Sequence, residues 1–441
     1  MLRNPAYRRA LVFCGLIGIP VSALAFWFLA ALHELERLVW TDWPKDLGWA
    51  DPPWWWSFPS LALAGTAVAV VAGRFPGGGG HIPAAGMHSG GATKAALPGV
   101  ILAAVFSLPL GAVLGPEAPL IALGGGLALL FRDLVRAAAT PQSNALLGAA
   151  GAAAAISAIF GNPLVAAVLL MEVVGVGGPQ LFAVMLPALL ASGIGSAVFS
   201  GFGQWTGFAT GSLSVGLPAP PLLDIGDVLW SLLIGLAVGA GVHALVVSGR
   251  RTAVFVSGGL LPRTVLCALG AAGCIALYAV STGRSPSEAA LSGQATLAQL
   301  AKDPHAWSVG ALVAVLAFKG AAYTLCLGSL RGGPVFPALF LGGATGALLA
   351  PLPGLGLVPA MAAGMAAAVT SALRLPVSSV VLVVVILGHS GSVPVVVLAS
   401  VVSFMVTELL PQGPAVPAPG SRGAAQPPVA KPGKSVMPPS T

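Results

Sequence analysis

From Ala95 to Phe131 the chain carries a single charged residue, Glu117, framed by Gly115-Pro116 and Ala118-Pro119. A run of that length and polarity has no place on a water-exposed surface, and its glycine and prolines exclude one uninterrupted helix through it. The rest of the chain repeats the pattern. Hydrophobic residues make up 56% of the 441 positions and charged residues 7%, with mean hydropathy +0.93, where a soluble domain carries about a quarter charged. Apolar stretches long enough to cross ~30 Å of hydrocarbon recur along most of the chain. The sequence predicts an all-α integral membrane protein with many spans.

Glycine (59) and proline (38) are abundant inside these apolar segments. Bilayer-spanning helices tolerate such breaks where the freed backbone groups meet protein, water or a ligand, and small residues also pack helices closely. The formal charge of +7 comes without a basic cluster interleaved with aromatics, so nucleic acid is excluded as a partner. Basic residues serve instead as a topology signal. Arg3, Arg8 and Arg9 precede the first span and Arg422, Lys431 and Lys434 sit in the tail, which predicts a multi-pass cell-membrane protein with both termini cytoplasmic. Cys14, Cys267, Cys274 and Cys326 lie in or beside apolar segments without metal-ligand spacing. The first apolar run, about 11–32, lacks an Ala-x-Ala-like cleavage site and is read as a span.

Six of the ten tryptophans (Trp40, Trp43, Trp49, Trp54, Trp55, Trp56) cluster after this run, as expected for a segment at the bilayer interface. A second span covers about 57–73 and ends in a glycine-rich break over 74–83. Apolar helices are expected at 141–160, 163–176 and 180–202, with further spans near 225–248, 260–281, 307–328, 336–350, 358–373, 376–388 and 392–410. Residues 282–305 read as a short surface helix. The tail, 411–441, is rich in proline and alanine and is expected to be disordered.

Two segments repeat. Gly115-Pro-Glu-Ala-Pro-Leu-Ile-Ala-Leu-Gly-Gly matches Gly333-Pro-Val-Phe-Pro-Ala-Leu-Phe-Leu-Gly-Gly at the first glycine, both prolines, the leucine and the paired glycines. Behind each lies a second pair, Ile156-Ser-Ala-Ile-Phe-Gly-Asn-Pro and Thr370-Ser-Ala-Leu-Arg-Leu-Pro. This predicts a first membrane repeat over 1–202, a second over 203–410, and a site between them.

Proline suits the first turn of a helix, so each Gly-Pro-x-x-Pro reads as a helix opening from a loop inside the membrane. Such a terminus presents free N–H groups and the positive end of the helix dipole, which together attract an anion. Two such termini and the loop 77–83 can converge on one dehydrated anion. Glu117 is itself an anion at one terminus: a gate that leaves when protonated or displaced, or else a plain cap. Glu172 stands alone between Ala137 and Leu223, either on a proton path or pairing locally. Lys319 and Arg331 flank the second motif and either raise the local positive potential or snorkel to an interface. His81 either lines the pathway or bonds the loop backbone. With no nucleophile–base set, metal cluster or phosphate loop in a plausible context, the chain is read as a non-enzyme without cofactor.

Taken in order, these motifs resemble the CLC family of chloride channels and chloride/proton antiporters. Gly79-Gly-His-Ile-Pro resembles the family's Gly-Ser-Gly-Ile-Pro, Gly115-Pro-Glu-Ala-Pro its Gly-Lys/Arg-Glu-Gly-Pro, and Gly333-Pro-Val-Phe-Pro its Gly-x-Phe-x-Pro; Leu291-Ser-Gly-Gln and Gly328-Ser-Leu-Arg-Gly-Gly also look like family sequence. The resemblance implies an inverted-repeat fold with broken and re-entrant helices, a homodimer with one pathway per subunit, and Glu117 as the external gate. It implies an anion site drawn from Gly79, Gly80, His81, Ile82, Gly115, Glu117, Ala118, Gly333, Val335 and Phe336. Gly80 replaces a family serine, Pro334 removes a backbone N–H, and no tyrosine follows Tyr323, so the site is poorer in donors. The inner position that holds a proton-passing glutamate in the family's antiporters falls on Val173, beside Glu172, which resembles the channel branch. The expected function is channel-like transport of chloride or similar small anions; a chloride/proton antiporter and, from another class, a secondary carrier for a different solute are the alternatives.

Overall fold

The computed structural model describes residues 3, 5–87, 92–136, 140–175, 179–208, 215–217 and 223–417. Among these residues the secondary structure is helical, and the one extended pairing is an isolated antiparallel bridge between Gly115 and Gly333. Helix α1 (Pro5–Arg37) passes through a π turn at Leu38–Asp42 into α2 (Trp43–Asp46), and α3 (Ser57–Arg74) leads into the glycine-rich loop. Then follow α4 (Leu97–Ser107), α5 (Glu117–Leu134), α6 (Pro141–Phe160), α7 (Pro163–Val174) and α8 (Pro179–Thr206). The later part contributes α9 (Ile225–Ser257), α10 (Leu260–Thr282), α11 (Gln294–Lys302), α12 (Val309–Ser329), α13 (Val335–Leu349), α14 (Leu357–Leu373), α15 (Pro376–Leu387) and α16 (Val393–Leu409).

Seven helical stretches among the described residues are long and apolar enough to cross a membrane: α1 with α2, α3, α6, α8, α9, α10 and α12. The apolar runs at α4, α7 and α13 to α16 are shorter, 10–17 residues. At 1.5 Å per residue the 12 residues of α7 extend only about 18 Å. The segments read as spans at 336–350, 358–373, 376–388 and 392–410 form helices of 15, 17, 12 and 17 residues, so each ends short of the about 20 residues that a full crossing takes. Proline and glycine set those ends. Gly161, in the left-handed region at φ 63, closes α6, and Asn162 then accepts from the Leu164 amide to cap α7, whose first residue is Pro163.

The paired glycines of the repeat do the same work in both copies. A Cβ on Gly124 of α5 would collide with the Gly151 carbonyl of α6, and a Cβ on Gly342 of α13 with the Gly364 carbonyl of α14. Each helix pair is thus packed backbone to backbone, the geometry that small residues permit. Between 282 and 305 lies one short helix, α11, as expected, but Thr296, Leu297, Leu300 and Ala301 are buried, so it is docked on the helical body. Trp40 departs from the interfacial reading of the tryptophan cluster: it is buried, and its indole N–H donates to Pro109 O at 2.9 Å. Trp43, Trp54 and Trp55 remain exposed. Residues 411–417 are described, non-helical, and in part laid against α9; the expectation of disorder for the remainder of the tail lies outside the described residues.

Candidate anion site at the meeting of two helix N-termini

The two Gly-Pro motifs meet. The Gly115 amide donates to Gly333 O at 2.8 Å and the Gly333 amide returns the bond to Gly115 O at 2.5 Å. One residue after each glycine is the proline that precedes a helix, so this bridge sets the first turns of α5 and α13 against each other. Glu117, at the start of α5, does not point along its own helix. It is 1% exposed, and the Phe336 amide of α13 donates to its Oε1 at 2.8 Å. Oε2 is buried with no hydrogen-bond partner among the described residues. A Cβ on Gly115 or on Gly333 would strike this carboxylate, so a side chain at either bridge position would have to displace Glu117.

Pro334 leaves the Val335 and Phe336 amides as the free donors of α13's first turn, since Pro337 has none. The Ala118 amide of α5 lies beside Gly333. The Phe336 ring is buried and packs on Phe160, with centroids 5.7 Å apart. Tyr323 of α12, fully buried, donates its hydroxyl to Pro334 O at 2.8 Å. Sequence reasoning took Tyr323 only as the last tyrosine before the motif. Its place in an apolar helix, where a hydroxyl needs a partner, was the available signal.

Both flanking cations are inside the protein, which corrects the snorkelling alternative. Lys319 is 0% exposed; its ammonium donates to the carbonyls of Glu288, Ala289, Ala290 and Leu291 at 2.6–3.3 Å and lies 5.0 Å from the Phe340 ring centroid. Arg331 is buried and donates to Gly78 O at 3.1 and 3.3 Å. Neither forms an ion pair among the described residues. The segment 288–291 that cages Lys319 includes the start of Leu291-Ser-Gly-Gln, and a cleft lined by His33, Glu36, Ser292 and Gln294 reaches Pro116.

The glycine-rich loop approaches this cluster only at its start, through the Gly78–Arg331 bonds. Gly79 and Gly80 lie against Val71, Val100 and Ala103 of α3 and α4. His81 bonds Gly86 O, its backbone alternative, and Ile82 packs on the core. The structure therefore brings together Gly115, Glu117, Ala118, Gly333, Val335 and Phe336, while no described contact joins Gly79, Gly80, His81 or Ile82 to the Glu117 carboxylate. Glu172 lies elsewhere. Its carboxylate accepts from the Val377 and Ser378 amides at 3.1 and 2.7 Å and from the Ser378 hydroxyl at 2.6 Å, so it caps α15, the local pairing left open from the sequence. Val173, next to it, packs against the core.

Comparison with known proteins agrees with this architecture. The family profile described as "Voltage gated chloride channel" matches residues 61–408. YfeO of Salmonella schwarzengrund (strain CVM19633), a protein named for ion transport, is 27% identical over 348 residues, covering 76% of this chain and 78% of that protein. The structure of a slow cyanobacterial Cl-/H+ antiporter superposes with TM-score 0.75 at 18% identity, covering 92% of this chain and 96% of the other. A CLC-type fluoride/proton antiporter superposes with TM-score 0.68 at 19% identity, covering 91% and 95%.

Proposed function

The chain belongs to the voltage gated chloride channel family, and on that premise we propose that it carries chloride or similar small anions past a gate formed by the Glu117 carboxylate. The observation that carries this reading is the 2.8 Å bond from the Phe336 amide to Glu117 Oε1. A carboxylate seated on a buried helix N-terminus occupies the position that the dipole and free amides offer to an anion. When Glu117 is protonated or displaced, the opposed first turns of α5 and α13 become available to a passing anion.

The buried charges support anions over cations. Two buried cations, Lys319 and Arg331, flank the second motif, and in a low-dielectric interior a positive charge is felt strongly. We read the transport as channel-like, passive or weakly coupled to protons, because valine stands at 173 and Glu172 is occupied in capping α15. Obligatory chloride/proton exchange is the second reading, favoured by the two structurally similar proteins described as proton antiporters. The proposal includes a homodimer in the cell membrane with one pathway per subunit and both termini cytoplasmic.

Anion flux into liposomes tests the reading. Wild-type protein is expected to carry chloride with a rate that rises as pH falls, and Glu117→Gln to remove that dependence. No flux in wild type, or an unchanged pH profile in the variant, refutes it. The reversal potential then separates the two modes: it follows the chloride gradient alone for a passive pathway and shifts with the proton gradient for an exchanger.

A further inference from the structure

The glycine-rich loop is held at both ends by arginines. Arg331 bonds Gly78 O beside the Gly115–Gly333 bridge, and Arg250 of α9 donates its Nε to Ala84 O at 3.2 Å. Beyond Ala84 the loop opens on a cavity of about 200 Å³ whose lining includes Gly86, His243, Arg250, Ser371 and Arg374. Arg250 has no carboxylate partner among the described residues. Arg374 donates to Thr407 O at 3.2 Å and pairs with Glu408 at 3.5 Å, an acid that is itself half exposed. Two guanidinium groups and an imidazole therefore share one small cavity, with a single, outlying carboxylate.

Arg374 is there against its backbone preference. It closes α14 in the left-handed region, at φ 59. The matching position of the first half, the end of α6, uses Gly161 at φ 63, the residue that suits this conformation. A side chain kept where glycine is unstrained carries a backbone cost, and what it supplies here is a positive charge in the cavity. The segment after α16 lies against three of the lining residues. His243 Nε2 donates to Pro411 O at 3.1 Å, and Gly413 lies against Arg250 and Val247.

We propose that Arg250 and Arg374 form a capture site for a small monovalent anion at the mouth of the pathway reached through the 78–86 loop. The site rests on the anion-transport reading above and adds where the anion is collected before it enters. A cleft lined by one sign of charge raises the local concentration of counter-ions, and the effect weakens as salt screens it. The role is thus separable from the gate, since it acts on how much anion is needed and not on the pH at which Glu117 leaves.

The test is chloride flux by the full chain in liposomes, measured against chloride concentration at constant and at raised ionic strength. Arg250→Met and Arg374→Met are each expected to raise the half-saturating chloride concentration about fivefold, with the loss vanishing at saturating chloride. The ionic-strength dependence of wild type should flatten in both, and Arg250→Lys should return the half-saturating value to within about twofold of wild type. If Arg250→Met does not fold, Arg374→Met reads the same cavity. Half-saturation unchanged in the methionine variants while wild type carries chloride overturns the capture site alone. A loss in Arg250→Lys as large as in Arg250→Met also overturns it, because the lost feature is then hydrogen-bond geometry and not charge. Absence of flux in wild type overturns the transport reading, and the capture site with it.

Discussion

The Phe336 amide and the Glu117 carboxylate, 219 positions apart in sequence, meet at 2.8 Å. Each half of the chain supplies what the other lacks. The first motif brings the negative charge, and the second, where Val335 stands in place of an acid, brings the helix terminus that receives it. On the proposed reading this single bond is the closed state of the pathway.

A Cβ at position 333 has nowhere to go except into that carboxylate. Gly333→Ala is expected to break the Phe336–Glu117 bond, removing about 2 kcal/mol from the closed arrangement. Its flux should become as pH-independent as that of Glu117→Gln, and adding Glu117→Gln to it should change nothing more. Flux profiles of the two single variants and the double variant check this non-additivity.

Tyr323→Phe deletes a fully buried hydroxyl and leaves Pro334 O with only the longer bond from the Ala338 amide, at 3.4 Å. A loss of about 1 kcal/mol is expected, read as a lower unfolding temperature of the purified protein in detergent. The ring remains, so packing around Phe336 should be preserved.

The three N–H groups of the Lys319 ammonium are shared among four carbonyls. Lys319→Met would leave the 288–291 turn without a donor, for a loss of roughly 2–4 kcal/mol. The same turn is clamped from outside by Arg284, which bonds both oxygens of Glu288 and stacks on Trp307; the Glu288 carboxylate holds the Arg284 guanidinium above its ordinary range. Because that pair is partly exposed, Arg284→Met should cost less, about 1–2 kcal/mol. Chemical unfolding of the two variants against wild type tests the order.

Glu172→Gln removes a charge from the first turn of α15 and one of its acceptors. A loss of about 1 kcal/mol is expected, with no movement of the reversal potential in a proton gradient. A shift of that potential would make Glu172 part of a proton path.

Much of this was legible in the sequence because its signals are local. Gly-Pro-x-x-Pro marks helix starts whatever surrounds it, and the paired glycines announced close helix packing. The fates of Lys319, Arg331 and Glu172 were not legible. Each depends on which distant backbone carbonyls or amides lie within hydrogen-bond distance, and nothing in the neighbouring residues encodes that. The same limit applies to the loop 79–82: its resemblance to an anion-binding motif says what backbone it forms, while its distance from Glu117 is set by α3, α4 and the anchoring arginines. Helix length was legible only to within a few residues: the apolar helix expected over 163–176 is α7, Pro163–Val174, because apolar character does not mark where a helix stops.

The Gly115–Gly333 bridge bears on how large the working motion can be. Two backbone hydrogen bonds tie the halves at the site itself, so any cycle in which one half rocks against the other must break both bonds each time, whereas a swing of the Glu117 side chain breaks only one. The smaller movement leaves the scaffold untouched. Turnover in this protein should accordingly show a shallow temperature dependence and little sensitivity to cross-links placed between α5 and α13 away from the carboxylate.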